Sequence, residues 1–227
     1  NELSSKLYNA MFDVNAPISY QDIVAYLTAI KEKLEADYHE LYMDELNQLI
    51  DKVHIFKTHF ATLDIRQDHS KHLLVVESVL KKEGIIKESV DELKENELVK
   101  LLLEKKFELN PKDFEDDIVK DTIVNIKNLK SIQEKNGEDG CNRYIISNSE
   151  DIFSVLFVFG LFRWCGWNEK EITFDIVPLF ETMKGMDASE EVMQTLFDIP
   201  QYRQHLERRR DIHTIMLGFS DGTKDGG

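Results

Sequence analysis

Thr173-Phe-Asp-Ile-Val-Pro-Leu-Phe-Glu181 and Ile212-His-Thr-Ile-Met-Leu-Gly-Phe-Ser-Asp221 are apolar, strand-like runs that each end in a carboxylate. The pattern predicts one acid at the carboxyl end of each of two neighbouring strands, where α/β enzymes carry their chemistry. Parallel strands lie about 4.8 Å apart. Glu181 and Asp221 therefore reach a common point if the two strands pair directly.

Two carboxylates at one point repel each other unless a cation or a proton lies between them. Mg²⁺ fits such a pair, since this ion is commonly held by one or two carboxylates with waters and substrate oxygens. A second interpretation is that Glu181 caps a loop and Asp221 caps the following helix. Spacing alone leaves both interpretations open.

Strand-like and helical patterns alternate in the second half of the chain. We predict four strands, at 60–66, 143–147, 173–180 and 212–219. Strands that alternate with helices predict βαβ units and a parallel sheet. Several of these runs are apolar on both faces, as in a barrel or a doubly wound sheet.

The end of the chain indicates a larger parent protein. Four strands are too few to close a barrel, and the last residues, Lys224-Asp-Gly-Gly227, look like a βα turn whose helix has not begun. We therefore expect this chain to be cut from a longer protein and its site to be incomplete.

Composition narrows the classes of function. The 227 residues are 42% apolar and 31% charged, which is ordinary for a globular protein. A net charge of −15 argues against nucleic acid or an anionic membrane as a partner, because each requires a basic surface. The longest apolar stretch, 152–164, is too short to span a bilayer, and we expect no signal peptide. We predict a cytoplasmic protein in which Cys141 and Cys165 are free, buried thiols.

Four short motifs make the chain resemble phosphoenolpyruvate carboxylase. The resemblance extends over nearly the whole chain and is clearest from Thr62 onward. The motifs occur in the family's order: Leu63-Asp-Ile-Arg-Gln67, Tyr144-Ile-Ile-Ser147, Val177-Pro-Leu-Phe-Glu-Thr182 and Leu217-Gly-Phe-Ser-Asp-Gly-Thr-Lys-Asp-Gly-Gly227. Four ordered motifs are a stronger signal than the paired acids alone.

The resemblance implies a fold of the α/β class, a partial (β/α)8 TIM-type barrel with additional α-helices that is predominantly helical. On this interpretation residues 1–59 are a helical segment before the barrel, and residues 60–227 are the partial barrel with a helical insertion at 68–135. The resemblance also implies a homotetrameric parent enzyme.

The activity implied by the resemblance is the reaction of phosphoenolpyruvate with bicarbonate to give oxaloacetate and phosphate. The reaction depends on Mg²⁺ or Mn²⁺, and the family's metal-binding acids match Glu181 and Asp221. Two alternatives are another metal-dependent barrel enzyme acting on phosphoenolpyruvate or pyruvate, and a non-catalytic helical interaction domain.

Two basic residues are candidates for catalysis and substrate binding. Arg66 carries a planar guanidinium that holds phosphate or carboxylate through two parallel hydrogen bonds. The neighbouring Gln67 is a further candidate for substrate binding, in which it orients Arg66. The alternative for Arg66 is a surface ion pair with Asp64 or Asp68. Lys224 follows Asp221 by three residues, which brings its ammonium within reach of the same pocket. Its alternative is a solvated lysine in a turn.

Some features depart from the family pattern or lie outside it. Asp68 replaces the common glutamate after the first motif, and Asn148 stands where small or apolar residues are usual. The family's catalytic histidine segment and its glycine-rich arginine loop are not in this sequence, so the isolated chain should be inactive. His69 and His72 have a spacing that would suit a metal pair, but no further ligand accompanies them. We therefore expect a solvated helix face there.

Overall fold

A computed structural model describes residues 2–13 and 15–226, so the outer limits of the predicted domains, Asn1 and Gly227, lie outside the described residues. The described part contains ten α-helices and four strands. The helices are α1 (Glu2–Phe12), α2 (Tyr20–Asp37), α3 (Met43–Phe56), α4 (His69–Lys82), α5 (Glu95–Glu104), α6 (Asp117–Asn136), α7 (Ile152–Trp164), α8 (Met183–Asp198), α9 (Pro200–Arg208) and α10 (Phe219–Gly226). The strands are β1 (Ile65–Asp68), β2 (Arg143–Ser147), β3 (Asp175–Phe180) and β4 (Met216–Leu217).

The chain divides into two compact units. The first comprises residues 1–63 and 132–141, and the second comprises residues 64–131 and 142–227. In the first unit α2 begins with a reciprocal capping box between Ser19 and Asp22. Its core is Ile23, Leu27 and Leu46, so α2 and α3 are held together by their apolar stripes.

The second unit is built on a parallel sheet. Its strands follow the order β1-β2-β3-β4, and each pairs in parallel with its chain neighbour. The predicted α/β class, the parallel sheet and the predominance of helix are therefore confirmed. All four strands point the same way, so their carboxyl ends meet at one edge of the sheet.

Helix α7 forms the centre of the helical layer. Every residue from Ser154 to Trp164 is buried, which explains why its sequence is apolar on all sides. Helices α4 and α5 both pack against it, and α7 in turn packs on β3. No helix in the described residues is long and apolar enough to cross a membrane.

Strand β1 is shifted relative to the prediction. It covers Ile65–Asp68 rather than 60–66. Phe60 has a left-handed backbone, with φ of 64°, and its ring stacks on Phe56 at 5.0 Å. The amide of Leu63 donates to the carbonyl of Gly140. These contacts lie outside the sheet, so residues 60–63 do not extend β1.

The last predicted strand is much shorter than expected. Only Met216 and Leu217 pair with β3, instead of 212–219. His213 turns away from the sheet, where its Nε2 lies 2.8 Å from the Tyr202 hydroxyl of α9. The expectation of an unfinished βα turn is wrong, because α10 already runs from Phe219 to Gly226. The third strand begins at Asp175, two residues later than predicted.

The expectation of a solvated face at His69 and His72 is also wrong. His72 is fully buried, and its Nε2 lies 3.0 Å from the Tyr144 hydroxyl of β2. His69 stacks on Phe157 at 5.6 Å. His72 faces the packed interior because α4 packs on both β1 and α7, whereas His69 at the start of α4 is only partly buried. The cysteines behave as predicted, since Cys141 and Cys165 are buried thiols that are not joined in a disulfide.

The buried imidazole of His72 predicts a dependence of stability on pH. Burial lowers the pKa of His72 to about 3, against about 6.5 in an unfolded chain. The unfolded state therefore binds more protons between these values, and stability is lost as the pH falls below 6.5. Between pH 7 and pH 5 the free energy of unfolding of His72→Gln should fall by about 2 kcal/mol less than that of the parent protein. Equilibrium unfolding at the two pH values measures this difference. An identical pH dependence in the two proteins would contradict this assignment.

Candidate active site

The register of the sheet decides which side chains meet. Arg66 pairs with Ile145, and Ile145 pairs with Val177, so the three side chains share one face. Glu181 follows Val177 by four residues, which keeps it on that face just beyond the end of β3. Gln67 pairs instead with Ile146, and the side chains of these two residues point to the opposite face.

A cleft of about 500 Å³ lies at the carboxyl ends of the strands. It is lined by Arg66, Ser147, Asn148, Glu181, Thr182, Asp221, Lys224 and Asp225. The structure therefore brings together four of the five side chains that the sequence singles out. Gln67 is not among the residues that line this cleft, because the strand alternation turns it to the other face.

Glu181 is the buried acid of the cleft, with only 7% of its surface exposed. Its Oε1 accepts a hydrogen bond from the backbone amide of Asn148 at 2.8 Å. Its Oε2 lies 3.5 Å from Nη2 of Arg66. A buried carboxylate needs both kinds of compensation, a donor and a countercharge. Arg66 thus pairs with Glu181, and not with the Asp64 or Asp68 of the alternative interpretation.

Arg66 keeps most of its hydrogen-bonding capacity for a ligand. Its side chain is 52% exposed, and its contact with Glu181 is a single one at 3.5 Å. A guanidinium has five N–H donors in a planar fork. Because Arg66 lines the cleft, the donors that Glu181 does not use are suited to an anionic oxygen there.

Asp221 and Lys224 enter the cleft from α10. Asp221 lies in the first turn of this helix, where a negative charge is favourable. Its Oδ1 lies 3.2 Å from Nζ of Lys224, as expected for residues three apart on a helix. The predicted strand-end position of Asp221 is thus replaced by a helix-start position, and Asp221 lines the same cleft as Glu181.

Gly218 allows α10 to approach Glu181 closely. A Cβ atom at this position would lie 2.4 Å from Cβ of Glu181 and 3.1 Å from its Cα. The Gly218 amide also donates to the carbonyl of Phe180 at 2.9 Å. The absence of a side chain at Gly218 therefore brings the start of α10, with Asp221, beside the buried acid.

Asn148 links two strand ends through its backbone and its side chain. It has a left-handed backbone with φ of 56°, a conformation that asparagine tolerates better than most residues. Its Nδ2 donates to Oδ2 of Asp68 at 2.5 Å. Burial acts to raise the pKa of Asp68, but hydrogen bonds from Ser70 and Asn148 outweigh it and hold the pKa below its usual value.

The donor set of the cleft fits a hard divalent cation that shares its coordination with a ligand. In the described part of the chain, no three His, Cys, Asp or Glu side chains are grouped to hold a metal ion by themselves. Glu181 and Asp221 supply carboxylate oxygens on one cleft. Mg²⁺ and Mn²⁺ accept this arrangement, because oxygens from water and substrate complete their shell.

Sequence reasoning missed four residues of the cleft, namely Ser147, Asn148, Thr182 and Asp225. Thr182 caps α8 by accepting from the Gly185 amide at 3.0 Å. Asp225 accepts from the Met183 amide at 2.8 Å. The signal for Ser147 and Asn148 was present, since both stand at the carboxyl end of a predicted strand.

Comparison with known proteins gives a consistent result. The family model described as phosphoenolpyruvate carboxylase matches residues 4–227. A phosphoenolpyruvate carboxylase of Prochlorococcus marinus is 31% identical over 199 residues, which is 83% of this chain and 20% of that protein. One of a Synechococcus species is 30% identical over 232 residues, or 95% of this chain and 22% of that protein. The chain thus spans about a fifth of the length of these relatives.

The close contact between Gly218 and Glu181 predicts that an alanine at Gly218 destabilises the fold more than an alanine at Gly222. Gly218→Ala forces a Cβ against the backbone and Cβ of Glu181, neither of which has room to rotate away. Overpacking of this kind costs about 1–3 kcal/mol. We expect a lower midpoint of thermal unfolding, together with faster hydrogen exchange in the peptide that contains the Asn148 amide.

Gly222→Ala is the matched control. A Cβ at Gly222 would meet the terminal methyl of Met186, at 2.6 Å, and a methionine end is free to turn aside. This variant should therefore unfold near the parent temperature. Equal destabilisation by the two substitutions would contradict the prediction that the close approach of Gly218 to Glu181 is important for stability.

Proposed function

The chain belongs to the phosphoenolpyruvate carboxylase family, and we propose that the whole protein converts phosphoenolpyruvate and bicarbonate to oxaloacetate and phosphate. The observation that carries the proposal is the convergence of Arg66, Glu181, Asp221 and Lys224 on one cleft. Two acids suit a divalent cation, and two bases suit an anionic substrate.

Arg66 is proposed to hold the substrate through its phosphate or carboxylate oxygens. Its guanidinium is half-exposed, and only one of its edges faces Glu181. A bidentate contact to an oxyanion is strong and directional, which fixes the orientation of the bound molecule. Lys224 adds a second positive charge that offsets the repulsion between two acids and two anionic substrates.

Glu181 and Asp221 are proposed to hold Mg²⁺ or Mn²⁺. The bound ion supplies charge neutralisation on the phosphate and on the oxygen that becomes an enolate. Glu181 is fixed by the Asn148 amide, whereas Asp221 is half-exposed and forms an ion pair with the exposed ammonium of Lys224. We infer that Glu181 is the preorganised ligand and that Asp221 adjusts when the ion binds.

We also propose that the four-stranded sheet is part of a (β/α)8 barrel. The consecutive strand order, the parallel pairing and the separate apolar cluster of Ile145, Val177 and Leu179 support this proposal. The family's catalytic histidine and its arginine loop would then come from other parts of the whole protein. The isolated chain is accordingly expected to lack activity.

Neutralising either acid should remove most of the activity. Glu181→Gln keeps the shape of the side chain and its acceptor for Asn148, and Asp221→Asn likewise removes only charge. We expect each to lower carboxylation in the whole protein more than about 100-fold and to weaken Mn²⁺ binding, followed by electron paramagnetic resonance.

Glu134→Gln is the control for this pair, because Glu134 is an exposed residue of α6 outside the cleft. It should retain parental activity and parental Mn²⁺ affinity. If Glu181→Gln or Asp221→Asn behaved as Glu134→Gln does, the proposed metal site would be wrong.

Replacing Arg66 with lysine should separate charge from geometry. Arg66→Lys keeps the positive charge but loses the planar fork, so kcat/KM for phosphoenolpyruvate should fall about 30-fold, equivalent to about 2 kcal/mol. Arg143→Lys is the matched control, since Arg143 lies at the opposite end of β2 and pairs with Asp64. Equal kcat/KM values for the two variants would remove Arg66 from substrate binding.

A further inference from the structure

Asn148 makes two hydrogen bonds that connect the ends of three strands. Its amide holds Oε1 of Glu181, just after β3, at 2.8 Å. Its side-chain Nδ2 holds Oδ2 of Asp68, the last residue of β1, at 2.5 Å. Asn148 itself follows the last residue of β2. One residue therefore joins the segment that carries Arg66 to the carboxylate that faces it.

The partner of the Asn148 side chain is itself fixed. Oδ1 of Asp68 accepts from the amide and the hydroxyl of Ser70, at 2.9 and 2.6 Å, which caps α4. Oδ2 then remains for Asn148. Asp68 thus offers a rigid acceptor, and the Asn148 side chain is held against the start of a long helix.

The residue that follows Asn148 is held to the sheet. The Ser149 amide donates to the carbonyl of Leu179 at 3.1 Å. The Ser149 hydroxyl donates to the carbonyl of Ile146 at 2.9 Å. With one side anchored in this way, the left-handed backbone of Asn148 directs its amide at Glu181. The strain of a positive φ in a non-glycine residue is retained where the surroundings determine it.

From this geometry we infer that Asn148 is a positioning residue for the site, which acts by holding the Glu181 carboxylate in place through a backbone amide that its own side chain anchors on Asp68. The inference rests on the proposed role of Glu181 as a metal-binding acid. Groups that orient a metal-binding side chain typically change metal affinity or activity 10–100-fold when they are removed.

Two substitutions separate the side chain from the backbone. Asn148→Gly keeps the amide and accepts a positive φ freely, but it removes the anchor to Asp68. Aspartate also tolerates the left-handed backbone, but Asn148→Asp places a carboxylate beside that of Asp68. The hydrogen bond between the two side chains is then replaced by charge repulsion. We expect each variant of the whole protein to bind Mn²⁺ about tenfold more weakly, with thermal unfolding within a few degrees of the parent.

A reciprocal exchange supplies the rescue. Asp68→Asn together with Asn148→Asp restores one donor and one acceptor across the same gap, with the total charge unchanged. Asparagine also remains a good cap for α4. The double variant should bind Mn²⁺ within about threefold of the parent, so the two substitutions are coupled rather than additive. Asn128→Asp, on the exposed face of α6, controls for the added charge and should bind Mn²⁺ as the parent does.

Hydrogen exchange provides a readout that does not depend on the metal. The Asn148 amide is protected by Glu181, so exchange in the peptide that contains it should accelerate in Asn148→Gly and Asn148→Asp and slow again in the exchanged double variant. Unchanged exchange in both single variants would overturn the inference.

Mn²⁺ binding distinguishes the inference from the proposed function. Weak binding by Glu181→Gln with parental binding by both Asn148 variants would also overturn the inference, while leaving the metal site intact. Parental binding by Glu181→Gln would instead overturn the metal site. In that case the exchange data alone would decide whether Asn148 orients Glu181.

Discussion

The negative charge on Glu181 is the constraint on which the site depends. A carboxylate that is 7% exposed is costly to bury unless donors and a countercharge surround it. Asn148 supplies the donor and Arg66 supplies the countercharge. These two groups come from different strand ends, so the sheet must place β1, β2 and β3 in register before Glu181 is tolerated. Gly218 completes the environment by letting α10 approach without a clash.

The sheet also determines which other side chains lie near Glu181. Because neighbouring residues of parallel strands point the same way, one row across the sheet carries Arg66, Ile145 and Val177 toward the same face. The cleft lies at the end of that row, where it is lined by polar side chains from the ends of strands and from the helices that follow them. A protein with a net charge of −15 thereby places two basic side chains, Arg66 and Lys224, in one cleft, as the proposed binding of an anionic substrate requires.

Much of this arrangement follows from the sequence, and the reasons for the failures are physical. Apolar runs and their order predict the parallel sheet, and the paired acids predict the cleft. The bounds of β1 and β4 depend on competing contacts, such as the stacking of Phe60 on Phe56 and the bond between His213 and Tyr202, which no local pattern reveals. Gln67 fails to reach the cleft because a shift of one residue along a strand reverses its face. The left-handed backbone of Asn148 is likewise set by distant partners, Asp68 and Glu181.

The central claim is that Glu181 and Asp221 share one divalent cation beside Arg66. A crystal structure of the whole protein with Mn²⁺, recorded with anomalous scattering from manganese, tests this claim most directly. The account predicts one anomalous peak within coordination distance of carboxylate oxygens from both residues, with Glu181 still bonded to the Asn148 amide. An anomalous peak at another place, with no manganese bound to Glu181 or Asp221, would contradict it.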